Sequence, residues 1–201
     1  MEKLTIPDVK DLVEYEKIRE GFRRRIIEVK ARRRVAVGDR VSLVFENRET
    51  ALSQVQEMVR AERIVDPAKI QFEIDTYNAL IPAPGELSAT LFIEITDAAD
   101  IRRELDRLIG LDGPGMVWFD LGPAGRVEGL FEAGHSNEER ISAVHYVKFP
   151  FAPAQREAFL QAAELFLVID HPAYRHRALV ADVTRRALAE DLAVQQPSNS
   201  S

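Results

Sequence analysis

Seven polar residues crowd one short stretch of this chain. Arg48, Glu49, Gln56, Glu57, Arg60, Glu62 and Arg63 lie within FENRETALSQVQEMVRAERI, residues 45–64. Arginine is a poor acid–base group, but its planar fork grips carboxylate or phosphate through paired bonds. On a helix from about Glu49, the residues Leu52, Val55 and Val59 make an apolar stripe. Arg48, Gln56 and Arg63 fall one turn away, on the same side. A half-buried Arg or Gln requires a partner. The stretch is therefore expected to hold an anionic ligand or a partner protein through Arg48, Glu49, Gln56, Arg60 and Arg63. Arg48, Glu49, Gln56 and Arg63 should be at least half buried. The commoner arrangement for such a face is an internal ion-pair network.

A second constellation is made of histidines. His145 lies in AVHYV, where alternation places it with Ala143, Val147 and Phe149 on the core side of a strand. His171 and His176 flank the end of an apolar strand, in IDHPAYRH, with Asp170 beside them. Strand ends are common places for sites. His145, His171 and His176 with Asp170 would form an N/O divalent-metal site if they converged, with His145 and His171 near each other at one end of the sheet. Pro172 and the five-residue spacing of His171 and His176 match no paired-histidine zinc helix. The plainer reading is one buried, backbone-satisfied histidine and two surface ones.

Two weaker signals remain. Asp75, Asn78 and Glu86 bracket a flexible Gly85 and would give a carboxylate pair for proton transfer; capping and a solvated helix face are the commoner explanation. The basic runs Arg23–Arg25 and Lys30–Arg34 carry no interleaved aromatics, so nucleic acid is an unlikely partner. No phosphate loop, dinucleotide fingerprint or nucleophile elbow occurs.

These residues must be positioned by regular elements. Tyr15, Ile18, Phe22, Ile26 and Val29 predict an amphipathic helix over 8–30. Residues 35–45 alternate as a strand or a hairpin turning at Gly38-Asp39. The charged helix follows, capped by Asn47. Another helix is expected over 66–80, with Pro67 in its first turn. Pro82-Ala-Pro-Gly85 is the best internal break. Beyond it the rhythm predicts a strand (86–95), a helix (97–108) and a hairpin (116–121 with 126–131). A strand (142–149), a helix (153–163), an apolar strand (165–170) and a last helix (182–192) follow. Hairpins and helices with few strand–helix–strand units indicate an α+β fold. The expectation is a single domain over 1–193, with one mixed, mostly antiparallel sheet of roughly five to seven strands and several packed helices. Residues 194–201 are expected to be a disordered tail.

Composition sets the outer limits. The chain has 201 residues, 46% of them hydrophobic, and a formal net charge of -6. That supports one sizeable core and a soluble, cytoplasmic protein. It has no cysteine. Disulfides, thiol nucleophiles and cysteine-ligated clusters are excluded from this chain.

Several blocks match a known family in order. They are LxxYExIRxxFRxxII (12–27), FENRET (45–50), QxQEMxRAERI (54–64), DTYNxLIP (75–82), GELSATLFIE (85–94), SAVHYVxF (142–149) and IDHPAYRH (169–176). Over nearly the whole chain except the tail, this resembles the bacterial domain-of-unknown-function family numbered 3501. The resemblance implies no particular reaction. It implies genes that neighbour a rubrerythrin-like protein and an iron–sulfur oxidoreductase, and so a link to redox or peroxide-stress chemistry with those proteins as partners.

Three functions compete at this point. One is a binding or accessory protein in such a redox system. Another is a metal-dependent enzyme built on the histidines and Asp170. The third is an acid–base enzyme working through Glu49, Glu86 and a histidine. The absence of nucleophile, phosphate and cofactor motifs favours the first.

Overall fold

The computed structural model describes residues 1–132, 136–137 and 140–194. The chain opens with a strap, residues 1–11, that contains a 3-10 turn at Ile6–Asp8. Helix α1 (Leu12–Ala31) follows, capped by Asp11, whose carboxylate accepts from Glu14 N at 2.8 Å. Strands β1 (Arg34–Val37) and β2 (Val41–Glu46) form the expected hairpin. Helix α2 (Arg48–Ala61) starts at the expected cap: Asn47 and Thr50 exchange side-chain-to-backbone bonds of 2.9 Å. Helix α3 (Pro67–Asn78) uses Pro67 in its first turn and Asp66 as its cap.

The second half is mostly strand. In order come β3 (Glu86–Ile93), α4 (Ile101–Asp106), β4 (Val117–Asp120), β5 (Arg126–Glu128) and β6 (Leu130–Phe131). Then follow β7 (Ser136–Asn137), β8 (Arg140–Ile141), β9 (Val144–Pro150) and α5 (Pro153–Gln161). The last elements are β10 (Phe166–His171), β11 (Tyr174–Leu179) and α6 (Asp182–Val194). The fold is α+β, as expected, and every strand pairing among the described residues is antiparallel.

The single mixed sheet of the sequence reading is replaced by two sheets. One has the order β1-β2-β3-β9-β6 and the other β11-β10-β4-β5, with β7-β8 as a separate small hairpin. Their inner faces share one core, with Leu43, Phe45, Leu91, Phe119, Phe149 and Leu167 all completely buried. The division arises at Gly129. The expected strand over 126–131 leaves one sheet as β5 and enters the other as β6. A Cβ at Gly129 would lie 2.8 Å from Val147 Cγ2 and 3.1 Å from Phe149 Cε1, so only glycine fits the crossing. Strand β11 was also not expected; its Arg175, His176 and Arg177 look like loop residues, yet charge is what an edge strand carries.

A second apolar cluster joins the strap, α2 and α3 through Leu4, Val55, Val59, Ile74 and Ile81. Helix α2 meets the outer face of the five-stranded sheet at Glu46, whose carboxylate accepts from Thr50 Oγ1 at 2.5 Å. No helix among the described residues is long and apolar enough to cross a membrane. The tail expected to be disordered lies, apart from the backbone of Val194, outside the described residues.

Candidate functional site

The charged face of α2 is directed at its own chain. Gln56 is 2% exposed, and its amide pairs with the backbone of Lys10: Lys10 N donates to Oε1 at 2.9 Å and Nε2 donates to Lys10 O at 2.8 Å. Arg48 donates to Asp8 on the strap at 2.6 Å, which holds that carboxyl below its usual range. Glu49 meets Arg25 at 2.5 Å, and Arg60 donates to Glu16 at 2.8 Å. Glu57 takes both bonds of the Arg19 fork at 2.9 Å and a third from Tyr15 Oη at 2.7 Å; the Arg19 bonds chiefly hold its carboxyl low. These contacts join α2 to α1 and the strap as an internal network. Gln56→Leu should cost about 1–3 kcal/mol, since it leaves a backbone N–H and C=O without their partner. Hydrogen exchange across residues 1–11 should speed up; a loss below about 0.5 kcal/mol would mean the strap is held elsewhere.

Arg63 departs from the expectation of burial, for a backbone reason. Helix α2 ends in a reverse cap in which Ile64 N donates to Val59 O at 2.9 Å and Arg63 N to Arg60 O at 3.2 Å. Arg63 occupies the left-handed position, with φ 52, where glycine is usual. The helical spacing stops there and the side chain turns outward to solvent. Arg60 and Arg63 line a broad groove of about 740 Å³ with Leu12, Val13, Glu16 and Lys17. Arg48 and Gln56 do not share it.

The histidines do not gather around one point. His145 is 1% exposed on the core face of β9, as expected, and its Nε2–H donates to Ser142 O at 2.8 Å. Its Nδ1 lies 3.9 Å from an Asp112 carboxylate oxygen. His171 is also buried; its Nε2–H donates to Ile109 O at 3.0 Å, and Ala173 N donates to its Nδ1 at 3.3 Å. Both rings therefore pack on the 107–116 loop. His176 is exposed and packs against Tyr174, with ring centroids 4.2 Å apart and the ring planes tilted by 47°. Asp170 points to the opposite face of β10 from His171 and pairs with Arg175 at 3.0 Å. Among the described residues no group of three or more His, Asp or Glu is placed to hold a metal. The carboxylate pair also separates: Asp75 is exposed and accepts from Gln71, while Glu86 meets Lys148.

A different site lies on the outer face of the five-stranded sheet. Cross-strand register sets Glu46, Ser88, Lys148 and Leu130 in one row over β2, β3, β9 and β6. The neighbouring row holds Val44, Thr90 and Tyr146. Glu46 is 3% exposed and also accepts from Thr90 Oγ1 at 2.6 Å. Beside it opens a pocket of about 430 Å³ lined by Lys3, Ser88, Tyr146 and Lys148, with Leu80, Leu130, Phe131 and Pro150 as apolar wall. Lys3 reaches in from the strap and donates to Asn78 O at 2.7 Å and Ile81 O at 2.8 Å. Asn78 fixes that strap by bonding the Leu4 backbone on both sides, at 2.8 and 3.0 Å. Lys148 donates to Glu86 Oε1 at 3.1 Å. Burial pushes the Tyr146 phenol up, so it stays a neutral donor.

Sequence reasoning reached Glu86 but assigned no role to Lys3, Glu46, Ser88, Tyr146 or Lys148. A signal was present. If His145, Val147 and Phe149 face the core, then Tyr146 and Lys148 must share the other face. What alternation does not supply is the strand order that brings Ser88 and Lys148 side by side.

Comparison with solved structures finds a protein of unknown function from Burkholderia pseudomallei K96243. It is 31% identical, with a TM-score of 0.88, over 95% of this chain and 100% of that one. Comparison with curated proteins gives no match. The sequence model of the family described as protein of unknown function (DUF3501) matches residues 3–192. On that extent of match, and with the same ordered blocks placed in one fold, the chain belongs to the DUF3501 family.

Proposed function

We propose that this is a binding or accessory protein, not an enzyme acting alone, and that it holds a small organic molecule in the pocket on the outer face of the five-stranded sheet. One observation carries the reading. Polar groups from three distant segments (Lys3 on the strap, Ser88 on β3, Tyr146 and Lys148 on β9) converge on one recess with an apolar wall. Its volume of about 430 Å³ falls in the usual range for small-molecule sites, and the mix of lining groups is the usual one. The α1–α2 groove is larger, but Arg60 there is already paired with Glu16. In the redox setting implied by the family resemblance, the loaded protein would be what the rubrerythrin-like protein or the iron–sulfur oxidoreductase meets.

A thermal-shift screen of small organic molecules tests this. A true ligand at a hundredfold excess over its Kd should add about 2.7 kcal/mol, roughly 5–10 °C for a chain of this size. Ser88→Leu projects carbon into the pocket and should abolish the shift, measured against that variant's own baseline. A ligand that stabilises wild type and Ser88→Leu equally would place binding elsewhere.

A further inference from the structure

The chemistry of the pocket narrows the ligand, given the reading above that the pocket is the binding site. We propose that it takes an amphipathic monocarboxylate, with the acid group between the ammonium groups of Lys3 and Lys148 and the apolar body against Leu80, Leu130, Phe131 and Pro150.

An ammonium has three donors and no acceptor. Lys3 uses two of them on the carbonyls of Asn78 and Ile81, and Lys148 uses one on Glu86. Donors therefore remain on both, and both side chains line the same recess. The two cations also act on each other. Burial lowers the Lys3 ammonium pKa, and the charge of Lys148 lowers it further. An anion between them offsets that repulsion and completes both donor sets. Ser88 adds a hydroxyl on β3, directly across the ladder from Lys148.

The remaining charges limit what anion fits. Glu86 and Glu132 also line the pocket, so its two lysines face two carboxylates. Repulsion from these acids grows with each charge on the ligand, so a singly charged anion is accommodated more readily than a doubly charged phosphate. A carboxylate carries a single charge on two oxygens, one for each ammonium. Its strength comes from charge-assisted bonds in a partly dry site. The apolar wall then selects acids with a hydrocarbon or aryl body over small hydrophilic acids.

Calorimetric titration at low salt with aliphatic and aryl monocarboxylates, each paired with its own primary amide, tests the assignment. Wild type should prefer the acid to its amide by about tenfold or more, the scale of a charge-assisted bond. Lys148→Met should reduce that preference, read as the acid-to-amide affinity ratio within the variant, to about twofold or less, and Lys148→Arg should restore it. Lys3→Met should act in the same direction. Amides that bind wild type as well as their acids would overturn the carboxylate assignment and leave the binding reading intact. Failure of both acids and amides to bind would remove the binding reading as well.

Discussion

Arg33→Met is expected to destabilise the protein by about 3–5 kcal/mol, roughly 6–20 °C in Tm. Arg33 is 4% exposed and lies just before β1. Its Nε donates to Phe45 O at 2.8 Å and one Nη to Glu46 O at 3.3 Å. The same Nη makes a close ion pair with Asp191 on α6, itself 7% exposed. This single side chain thus ties the last helix to the end of β2, immediately before the cap of α2. Burial raises the Asp191 carboxyl pKa, with Arg33 opposing that rise. Removing Arg33 leaves the desolvated carboxylate alone, so its folded pKa should climb further. A raised folded pKa means that the folded form binds the proton more readily. Stability from that group is complete below the unfolded pKa and is lost as pH rises through the folded value. The deficit of Arg33→Met should therefore be largest near neutrality and shrink as pH falls toward the ordinary carboxylate range. Denaturant unfolding at several pH values measures it. A loss below about 0.5 kcal/mol at neutral pH would mean that water already reaches the pair.

Gly38→Ala should have the second large effect, about 2–5 kcal/mol. Gly38 has φ 78 in the β1–β2 turn, a conformation that costs an L-residue with a side chain about 1–2 kcal/mol. A Cβ there would overlap Tyr174 Oη and lie 2.7 Å from His176 Cγ. The phenol cannot easily yield, because it donates to Val37 O at 2.8 Å and accepts from Arg40 N at 2.9 Å. That contact seats the β10–β11 hairpin of one sheet against the β1–β2 hairpin of the other. Adding Tyr174→Ala to Gly38→Ala should cost less than the two separate losses combined, because the clash is then relieved. Strict additivity, measured by the same unfolding titrations, would show that Tyr174 is not seated on the turn.

Much of the fold is legible in the residues themselves. Asn47 caps α2, Pro67 begins α3, and Gly38 turns the first hairpin where local patterns place them. Helix α4 is shorter than its pattern, at 101–106 against the expected 97–108. What the pattern does not carry is non-local. Nothing local to 126–131 says that the strand must change sheets at Gly129, because the obstacle is Val147 and Phe149 from β9. The candidate site divides in the same way. The polar character of the α2 face was visible, yet its partners Asp8, Lys10, Glu16, Arg19 and Arg25 come from α1 and the strap. Periodicity finds a face but not what covers it. Helical spacing misplaces Arg63 because the helix ends in a reverse cap, in which an arginine stands at the usual glycine position. Lys3 and Lys148 are 145 positions apart in sequence and meet only because the strap crosses the end of α3.

Amide chemical-shift mapping tests binding at the outer-sheet pocket most directly. The titrant is the tightest-binding small acid or amide. The shifts should concentrate at Lys3, Ser88, Phe131, Tyr146 and Lys148, which share the pocket across four segments. Shifts concentrated instead at Leu12, Val13, Arg60 and Arg63 would place the site in the α1–α2 groove and contradict it.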